Sequence, residues 1–317
     1  MYLRSAIMDA FKIIIGLTAL ILGGEWLLRS AVALSYRLRV PKIVVGMTVV
    51  SLATSLPELI VSVQSAFQGY PDLALANVVG SNVANLGLVL GIVLLFTRIH
   101  VTPSFYRADW PLMFVATLLL WWFVNDGNLS ALEGLFLIIG LFLMLGYLFN
   151  YKKQDVEAAE EPNQIVLPWS RIVFFGIVGG GLLAFGSDFL VDGAVGLARK
   201  LGVSERIIGI TLVSVGTSIP ELAASLIAIF KKENAISLGN LLGSNMFNIL
   251  VVLGVTALIH PLQVNDARLL TFDIYVVIAI AALILPLVFV PKRMQLGWQE
   301  GLILLVCYIL FITNTLT

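Results

Sequence analysis

Long apolar runs alternate with short polar connections along the whole chain. A helix that crosses a bilayer needs roughly 20 mostly apolar residues, because each residue adds about 1.5 Å across a hydrocarbon core about 30 Å thick. Ten runs approach this length, at residues 11–28, 43–67, 73–96, 110–124, 132–149, 172–190, 207–230, 235–259, 269–290 and 301–316. The pattern therefore predicts an all-α, multi-pass membrane protein with ten transmembrane helices.

One connection in the middle of the chain differs from the others in its charge. Residues 150–169 hold two lysines, one aspartate, three glutamates and Pro162, and they are too few to form a domain. We interpret this stretch as a linker between two membrane domains, residues 1–149 and 170–317. Each predicted domain contains five of the ten helices.

Composition narrows the classes of function. Of the 317 residues, 59% are hydrophobic and 12% are charged, whereas soluble domains have about a quarter of their residues charged. Nineteen basic and nineteen acidic residues cancel, so no basic surface for nucleic acid is expected. Cys307, His100 and His260 are too few and too scattered for a disulfide framework, a redox centre or a zinc enzyme. We expect neither an enzyme nor a resident cofactor.

The basic residues predict the orientation. If the N-terminus is outside, 13 of the 19 lysines and arginines fall in cytoplasmic connections, including those of the linker. Positive residues concentrate on the cytoplasmic side of membrane proteins. The prediction is a plasma (inner) membrane protein with both termini outside and the linker in the cytoplasm.

The chain contains an internal repeat with an offset of 163 residues. The segment GMTVVSLATSLPELIVSVQSAF from Gly46 matches GITLVSVGTSIPELAASLIAIF from Gly209 at 11 of 22 positions. The segment ALANVVGSNVANLGLVLGI from Ala74 matches SLGNLLGSNMFNILVVLGV from Ser237 with the same offset. The duplication is therefore expected to cover both five-helix halves.

An odd number of helices in each half has a topological consequence. The second copy must enter the bilayer from the face opposite to the first, so the two halves are inverted repeats. Inverted repeats that meet at the middle of the bilayer are typical of secondary transporters. The alternative is a duplicated helical bundle without transport.

Two glutamates, Glu58 and Glu221, lie in the middle of predicted helices. A carboxylate in hydrocarbon costs at least about 2.5 kcal/mol, so it is expected to have a function. Pro57 and Pro220 precede them and each leaves a backbone carbonyl unpaired four residues earlier. Around each glutamate, hydroxyls recur at helical spacing on the same face, at Ser51, Thr54, Ser55 and Ser62 and at Ser214, Thr217, Ser218 and Ser225.

The helices that follow add amides and hydroxyls. Asn77, Ser81 and Asn85 are four residues apart and share a helix face, as do their equivalents Asn240, Ser244 and Asn248. Asn82 and Asn245 point away from that face, and we interpret them as structural residues. The pooled set contains oxygen ligands without sulfur or imidazole, which indicates a hard cation such as calcium or sodium. Magnesium fits less well, because it gives up its water reluctantly.

The doubled G-T/S-S-x-P-E and G-S-N-x-x-N segments resemble the two α-repeats of the cation/calcium exchanger superfamily, and most closely its prokaryotic sodium/calcium antiporters. The resemblance covers essentially the whole chain and implies alternating access, with the first and sixth helices sliding across a fixed core. It implies Glu25 and Asp188 near the ends of those moving helices. It also implies a cation site formed by Ser51, Thr54, Ser55, Glu58, Ser81, Asn85, Ser214, Thr217, Ser218, Glu221, Ser244 and Asn248, with Ser51 and Ser214 contributing backbone carbonyls. Glu58, Glu221, Asn85 and Asn248 are the expected calcium ligands.

The expected activity is therefore exchange of sodium for calcium, with the two ions and the lipid bilayer as the partners and a monomer as the expected form. Asn85 and Asn248 stand where potassium-dependent members carry aspartates, which weakens a potassium-dependent interpretation. A calcium/proton antiporter remains an alternative, because a buried glutamate can carry a proton. A cation channel lined by glutamates is a further alternative.

Overall fold

The fold is a bundle of helices with four very short strands. A computed structural model describes residues 2–152, 167–202 and 214–316. Its helices are α1 (Tyr2–Leu38), α2 (Lys42–Thr54), α3 (Leu56–Phe67), α4 (Pro71–Phe96), α5 (Phe105–Val124), α6 (Ala131–Lys152), α7 (Trp169–Lys200), α8 (Ser214–Gly216), α9 (Ile219–Phe230), α10 (Asn234–Ile259), α11 (Leu269–Phe289) and α12 (Trp298–Leu316). The strands are β1 (Ile99–His100), β2 (Asn128–Leu129), β3 (Leu262–Gln263) and β4 (Gln295–Leu296).

Eight of the described helices are long and apolar enough to cross a membrane: α1, α4, α5, α6, α7, α10, α11 and α12. The pair formed by α2 and α3, which is bent by 45°, makes a ninth crossing if it is counted as one span. The predicted span 207–230 is described only from Ser214 onward, as α8 and α9, and its first seven residues lie outside the described residues. The middle of the predicted linker, residues 153–166, also lies outside them.

The helices at the first and sixth predicted spans, α1 and α7, extend beyond the apolar runs 11–28 and 172–190 that predicted them. α1 ends at Leu38 and α7 ends at Lys200, about three turns beyond Glu25 and Asp188 respectively. The expectation that these two acidic residues lie near helix ends is therefore wrong. The helices continue past the apolar runs because nothing in either sequence breaks the backbone there. Glu25 instead forms ion pairs with Arg29, at 2.7 Å, and Lys231, at 3.3 Å.

Helices α1 and α7 pack closely and antiparallel along their lengths. A methyl group added to Gly16 would lie 2.6 Å from the backbone nitrogen of Leu190, and one added to Gly23 would lie 2.8 Å from that of Leu183. Near the other end of the pair, the Ser30 hydroxyl donates to the carbonyl of Ile172 at 2.7 Å. Small residues allow this approach, and van der Waals packing of this kind drives helix association in lipid.

The two glutamate segments break at the same point of their sequence. Ser55 lies between α2 and α3 with φ −86° and ψ 5°, and Ser218 lies between α8 and α9 with φ −87° and ψ 0°. Pro57 and Pro220 then occupy the first turn of α3 and α9, where a helix leaves N–H groups unpaired in any case. Each break therefore places the following glutamate at the beginning of a new helix.

Two further features recur in both halves. π-helical turns interrupt α4 at Ala84–Val89 and α10 at Asn248–Leu253, and such turns are frequent at functional sites. The short strands form antiparallel pairs, β1 with β4 and β2 with β3, so that each pair joins one strand from each half. Helices α4 and α10 lie at the centre, since more of their surface is buried than that of the other spanning helices.

Candidate cation-binding site

Two carboxylates lie buried at the beginnings of α3 and α9. Glu58 and Glu221 are each in the first turn of their helix and have no exposed surface. Glu221 is close enough for its charge to act on Glu58. The N-terminal end of a helix carries partial positive charge, which stabilises an anion there by about 0.3–1 kcal/mol. That is far less than the cost of burying two unpaired carboxylates, so the pair has to be neutralised by bound cations or by protons.

Hydroxyls from both halves surround the Glu221 carboxylate. Ser55, which follows α2, donates to Oε1 of Glu221 at 3.4 Å. Thr54 and Ser244 also interact with this carboxylate, and their hydroxyl oxygens are 3.3 Å apart. The break in the first half therefore supplies hydrogen-bond donors to the glutamate of the second half.

Several buried polar atoms near these carboxylates have no hydrogen-bond partner within the described part of the chain. They are Oε1 and Oε2 of Glu58, Oε2 of Glu221, Oγ of Ser218, Oδ1 of Asn248, and both amide atoms of Asn85. Buried polar atoms are nearly always paired, and leaving one unpaired costs about 1–3 kcal/mol. A cluster of unpaired buried oxygens around two carboxylates is suited to binding a hard cation.

The turns that carry the asparagines pack across the two halves. The π-helical turn that begins at Asn248 packs against α3, the helix of Glu58. The turn that contains Asn85 packs against α9, the helix of Glu221. Ser81 and Thr217, from opposite halves, lie 3.3 Å apart through their hydroxyl oxygens. The structure thus brings together residues on or next to α2, α3, α4, α9 and α10.

Ser51 and Ser214 differ from the other expected site residues. The Ser51 hydroxyl donates to the carbonyls of Gly46, at 2.8 Å, and Asn240, at 3.0 Å. Its own carbonyl accepts from the Ser55 N–H at 2.9 Å and from the Thr54 hydroxyl at 3.3 Å. The Ser55 N–H therefore occupies one lone pair of that carbonyl, and the single Thr54 proton, which Oδ1 of Asn240 can also accept at 3.2 Å, is shared with the other. Ser214 begins α8, and the structure describes its backbone but not its side chain.

The expected ligand set omitted two pairs of residues that hold the glutamates in place. Nδ2 of Asn77 donates to the carbonyl of Glu58 at 3.3 Å and to the Ser62 hydroxyl at 3.0 Å. Nδ2 of Asn240 makes the equivalent bonds to Glu221, at 3.5 Å, and Ser225, at 3.1 Å. The sequence did hold a signal for this role: the asparagine, the glutamate and the serine recur together at the repeat offset of 163 residues. A group of residues that positions a ligand would be duplicated with that ligand in the same way.

The chemistry of the site suits a transported ion. Within the described ranges, no group of three or more His, Cys, Asp or Glu side chains comes together. The oxygens around the two carboxylates are neutral hydroxyls and amides, which calcium and sodium accept and softer metals do not prefer. Two negative charges balance one divalent ion without holding it as tightly as a larger set of carboxylates would.

Sequence and structure comparisons identify related proteins. A sequence profile of the family described as "Sodium/calcium exchanger protein" matches residues 10–150 and 171–317. The chain is 36% identical over 305 residues to the putative antiporter CaxA of Alkalimonas amylolytica, covering 94% of this chain and 95% of that protein. It is 28% identical over 344 residues to the sodium/calcium exchanger MaX1 of Methanosarcina acetivorans, covering 95% and 96%.

The fold is similar to that of a solved transporter. The structure of the sodium–calcium exchanger NCX_Mj soaked with Na+ and Ca2+ superimposes with a TM-score of 0.82 at 27% identity, covering 97% of this chain and 98% of that one. These findings confirm the resemblance inferred from the repeated segments. The protein is a multi-pass membrane protein of a transporter family rather than of an enzyme family. This chain belongs to the sodium/calcium exchanger family.

Proposed function

We propose that the protein is a secondary active antiporter that exchanges sodium ions for calcium by alternating access. The observation that carries the proposal is the cluster of unpaired buried oxygens around Glu58 and Glu221. The exchangers MaX1 and NCX_Mj, which this chain resembles over almost its full length, support the choice of sodium and calcium.

The proposed architecture is ten transmembrane helices in two inverted five-helix repeats, residues 1–149 and 170–317. The antiparallel packing of α1 on α7, the matching breaks at Ser55 and Ser218, and the twofold match of the family profile support it. We place the linker in the cytoplasm, both termini outside and the protein in the plasma membrane, as the basic residues predict. One chain supplies both glutamates, so a monomer is a complete carrier.

Within this architecture, Glu58, Glu221, Asn85 and Asn248 bind calcium directly. The hydroxyls that face them bind sodium together with the same glutamates; they belong to Thr54, Ser55, Ser81, Thr217, Ser218 and Ser244. The backbone carbonyls of Ser51 and Ser214 complete the set. The Ser51 carbonyl keeps its bond from the Ser55 N–H and offers an ion its other lone pair.

Electrostatics couples the two ions in this mechanism. Two buried carboxylates without a cation resist closure of the site, because burying unpaired charge costs several kcal/mol. Calcium or several sodium ions neutralise them, so loaded states close and switch access readily. Exchange then follows without any covalent chemistry.

Exchange of three sodium ions for one calcium would move one positive charge per cycle. One charge is worth about 2.3 kcal/mol per 100 mV, so the equilibrium calcium gradient is expected to change about 50-fold per 100 mV. Calcium uptake into sodium-loaded proteoliposomes, followed to equilibrium at several clamped membrane potentials, measures how the calcium gradient depends on voltage.

Three results, from this experiment and two related ones, separate the alternatives. Sodium-driven uptake that ignores the clamped potential would contradict this stoichiometry. Uptake driven by a pH gradient in sodium-free medium would show a calcium/proton antiporter instead. Calcium currents far faster than a carrier cycle, without counterflow of sodium, would show a channel.

A further inference from the structure

Asn82 lies beside the site on the side of α4 that faces α10, and it is completely buried. Its Nδ2 donates to the backbone carbonyl of Asn245 at 3.2 Å. Its Oδ1 accepts from Nδ2 of Asn248 at 3.1 Å. Both ends of the Asn82 amide are therefore engaged with the second half of the chain.

These two bonds fix the orientation of the Asn248 amide. A backbone carbonyl can only accept a hydrogen bond, so Asn82 must present Nδ2 to Asn245. Oδ1 of Asn82 then faces Asn248, which must present its own Nδ2. The Oδ1 atom of Asn248 is consequently left on the side away from Asn82, buried and without a partner in the described part of the chain.

The orientation matters because only one end of an amide can bind a cation. An asparagine that rotated by half a turn would present N–H groups to a positive ion. The turn that carries Asn248 packs against α3, the helix of Glu58.

We propose that Asn82 is a positioning residue for calcium: it holds the Asn248 amide so that its oxygen, and not its nitrogen, faces the bound ion. This inference rests on the proposed function, because it assumes that Asn248 is a calcium ligand. Asn82 itself does not touch the ion.

The equivalent residue in the second half does not make the same bond. Nδ2 of Asn245 donates to the carbonyl of Leu241 in its own helix, at 2.7 Å. The Oδ1 atom of Asn245 and both amide atoms of Asn85 have no partner within the described residues. In this structure the amide of Asn248 is thus oriented by a neighbouring side chain, and that of Asn85 is not.

A double-mutant cycle tests the proposal. Equilibrium binding of radioactive calcium is measured on the purified full chain without sodium, for the unsubstituted protein, Asn82→Leu, Asn248→Asp and the double variant. Asn82→Leu is expected to weaken binding about tenfold, the size of one buried hydrogen bond. An aspartate at position 248 has oxygens at both ends and needs no orienting partner. In the Asn248→Asp background, Asn82→Leu is therefore expected to leave binding unchanged or to strengthen it, since the Oδ1 atom of Asn82 repels the new carboxylate.

The outcomes are distinguishable. An equal loss of binding in both backgrounds would overturn the positioning role while leaving the proposed function intact, because a merely structural residue acts the same way in each. Absence of calcium binding by the unsubstituted chain would overturn the proposed function and this inference with it. If the leucine variants aggregate, Asn82→Ala in the same two backgrounds gives the same comparison.

Discussion

Substitution of either central glutamate by glutamine is expected to abolish sodium-driven calcium uptake. Glu58→Gln and Glu221→Gln keep the shape of the side chain and remove one of the two negative charges that face the ion. Removing one member of a buried set of charges costs about 3–5 kcal/mol, which corresponds to roughly 100- to 5,000-fold in affinity. Uptake of radioactive calcium into sodium-loaded proteoliposomes measures the effect.

Glu133→Gln is a matched control for this experiment. Oε2 of Glu133 accepts hydrogen bonds from the N–H and the hydroxyl of Ser130, at 2.8 and 2.7 Å, at the beginning of α6. Glutamine serves equally well at this position of a capping box. The control is expected to transport normally, and uptake by all three variants at the rate of the unsubstituted protein would remove both glutamates from the mechanism.

A methyl group at Gly243 is expected to destabilise the crossing of α2 and α10 on which the site is built. The Cβ of an alanine there would lie 2.5 Å from both Cα and the carbonyl oxygen of Met47, and it would also collide with the Ser51 hydroxyl. Backbone atoms cannot move aside without shifting a whole helix. Overpacking of this kind costs about 1–3 kcal/mol, so the thermal midpoint of Gly243→Ala should fall by about 2–10 °C. Calcium uptake should fall with it, since Thr54 and Ser55 lie one helical turn after Ser51.

Gly146→Ala is the control for the same chemical change. Gly146 lies on an exposed face of α6, and no atom lies within 4 Å of an added Cβ. Alanine favours a helix by up to about 1 kcal/mol over glycine, so this variant should unfold at the same or a higher temperature. Equal midpoints for Gly243→Ala and Gly146→Ala, measured in the same detergent, would contradict the close crossing.

Much of the architecture follows from the sequence because hydrophobic runs and proline act locally. The apolar runs predicted the spanning helices to within several residues, except that α1 and α7 continue well beyond theirs. The doubled Pro-Glu step predicted one freed backbone carbonyl in each half, and the structure breaks both segments at the serine two residues before the proline, Ser55 and Ser218. The ends of α1 and α7 could not be predicted in this way, because polar residues outside the lipid are compatible with helix.

The sequence groups the proposed site residues by helix face and leaves their arrangement across the two halves open. Helical spacing groups side chains that share a face, and it selected the residues that we propose as ligands beside Glu58 and Glu221. It assigned Asn82 a structural role without a partner, and it did not show that the Ser51 hydroxyl bonds to the carbonyl of Asn240. Those contacts join residues more than 160 positions apart, and no local pattern specifies them.

The sequence by itself determined the class of protein, the duplication, the two glutamates within apolar segments and the oxygen-rich composition of the candidate site, because each depends on residue type and short-range spacing. The tertiary structure alone decided which residues of one half contact the glutamate, or the glutamate's helix, in the other half. It placed Ser55 against Glu221, Asn82 against Asn248 and the turn of Asn85 against α9. The physical reason is that these contacts depend on how closely glycine lets two helices cross, and that distance is set by packing across the whole bundle.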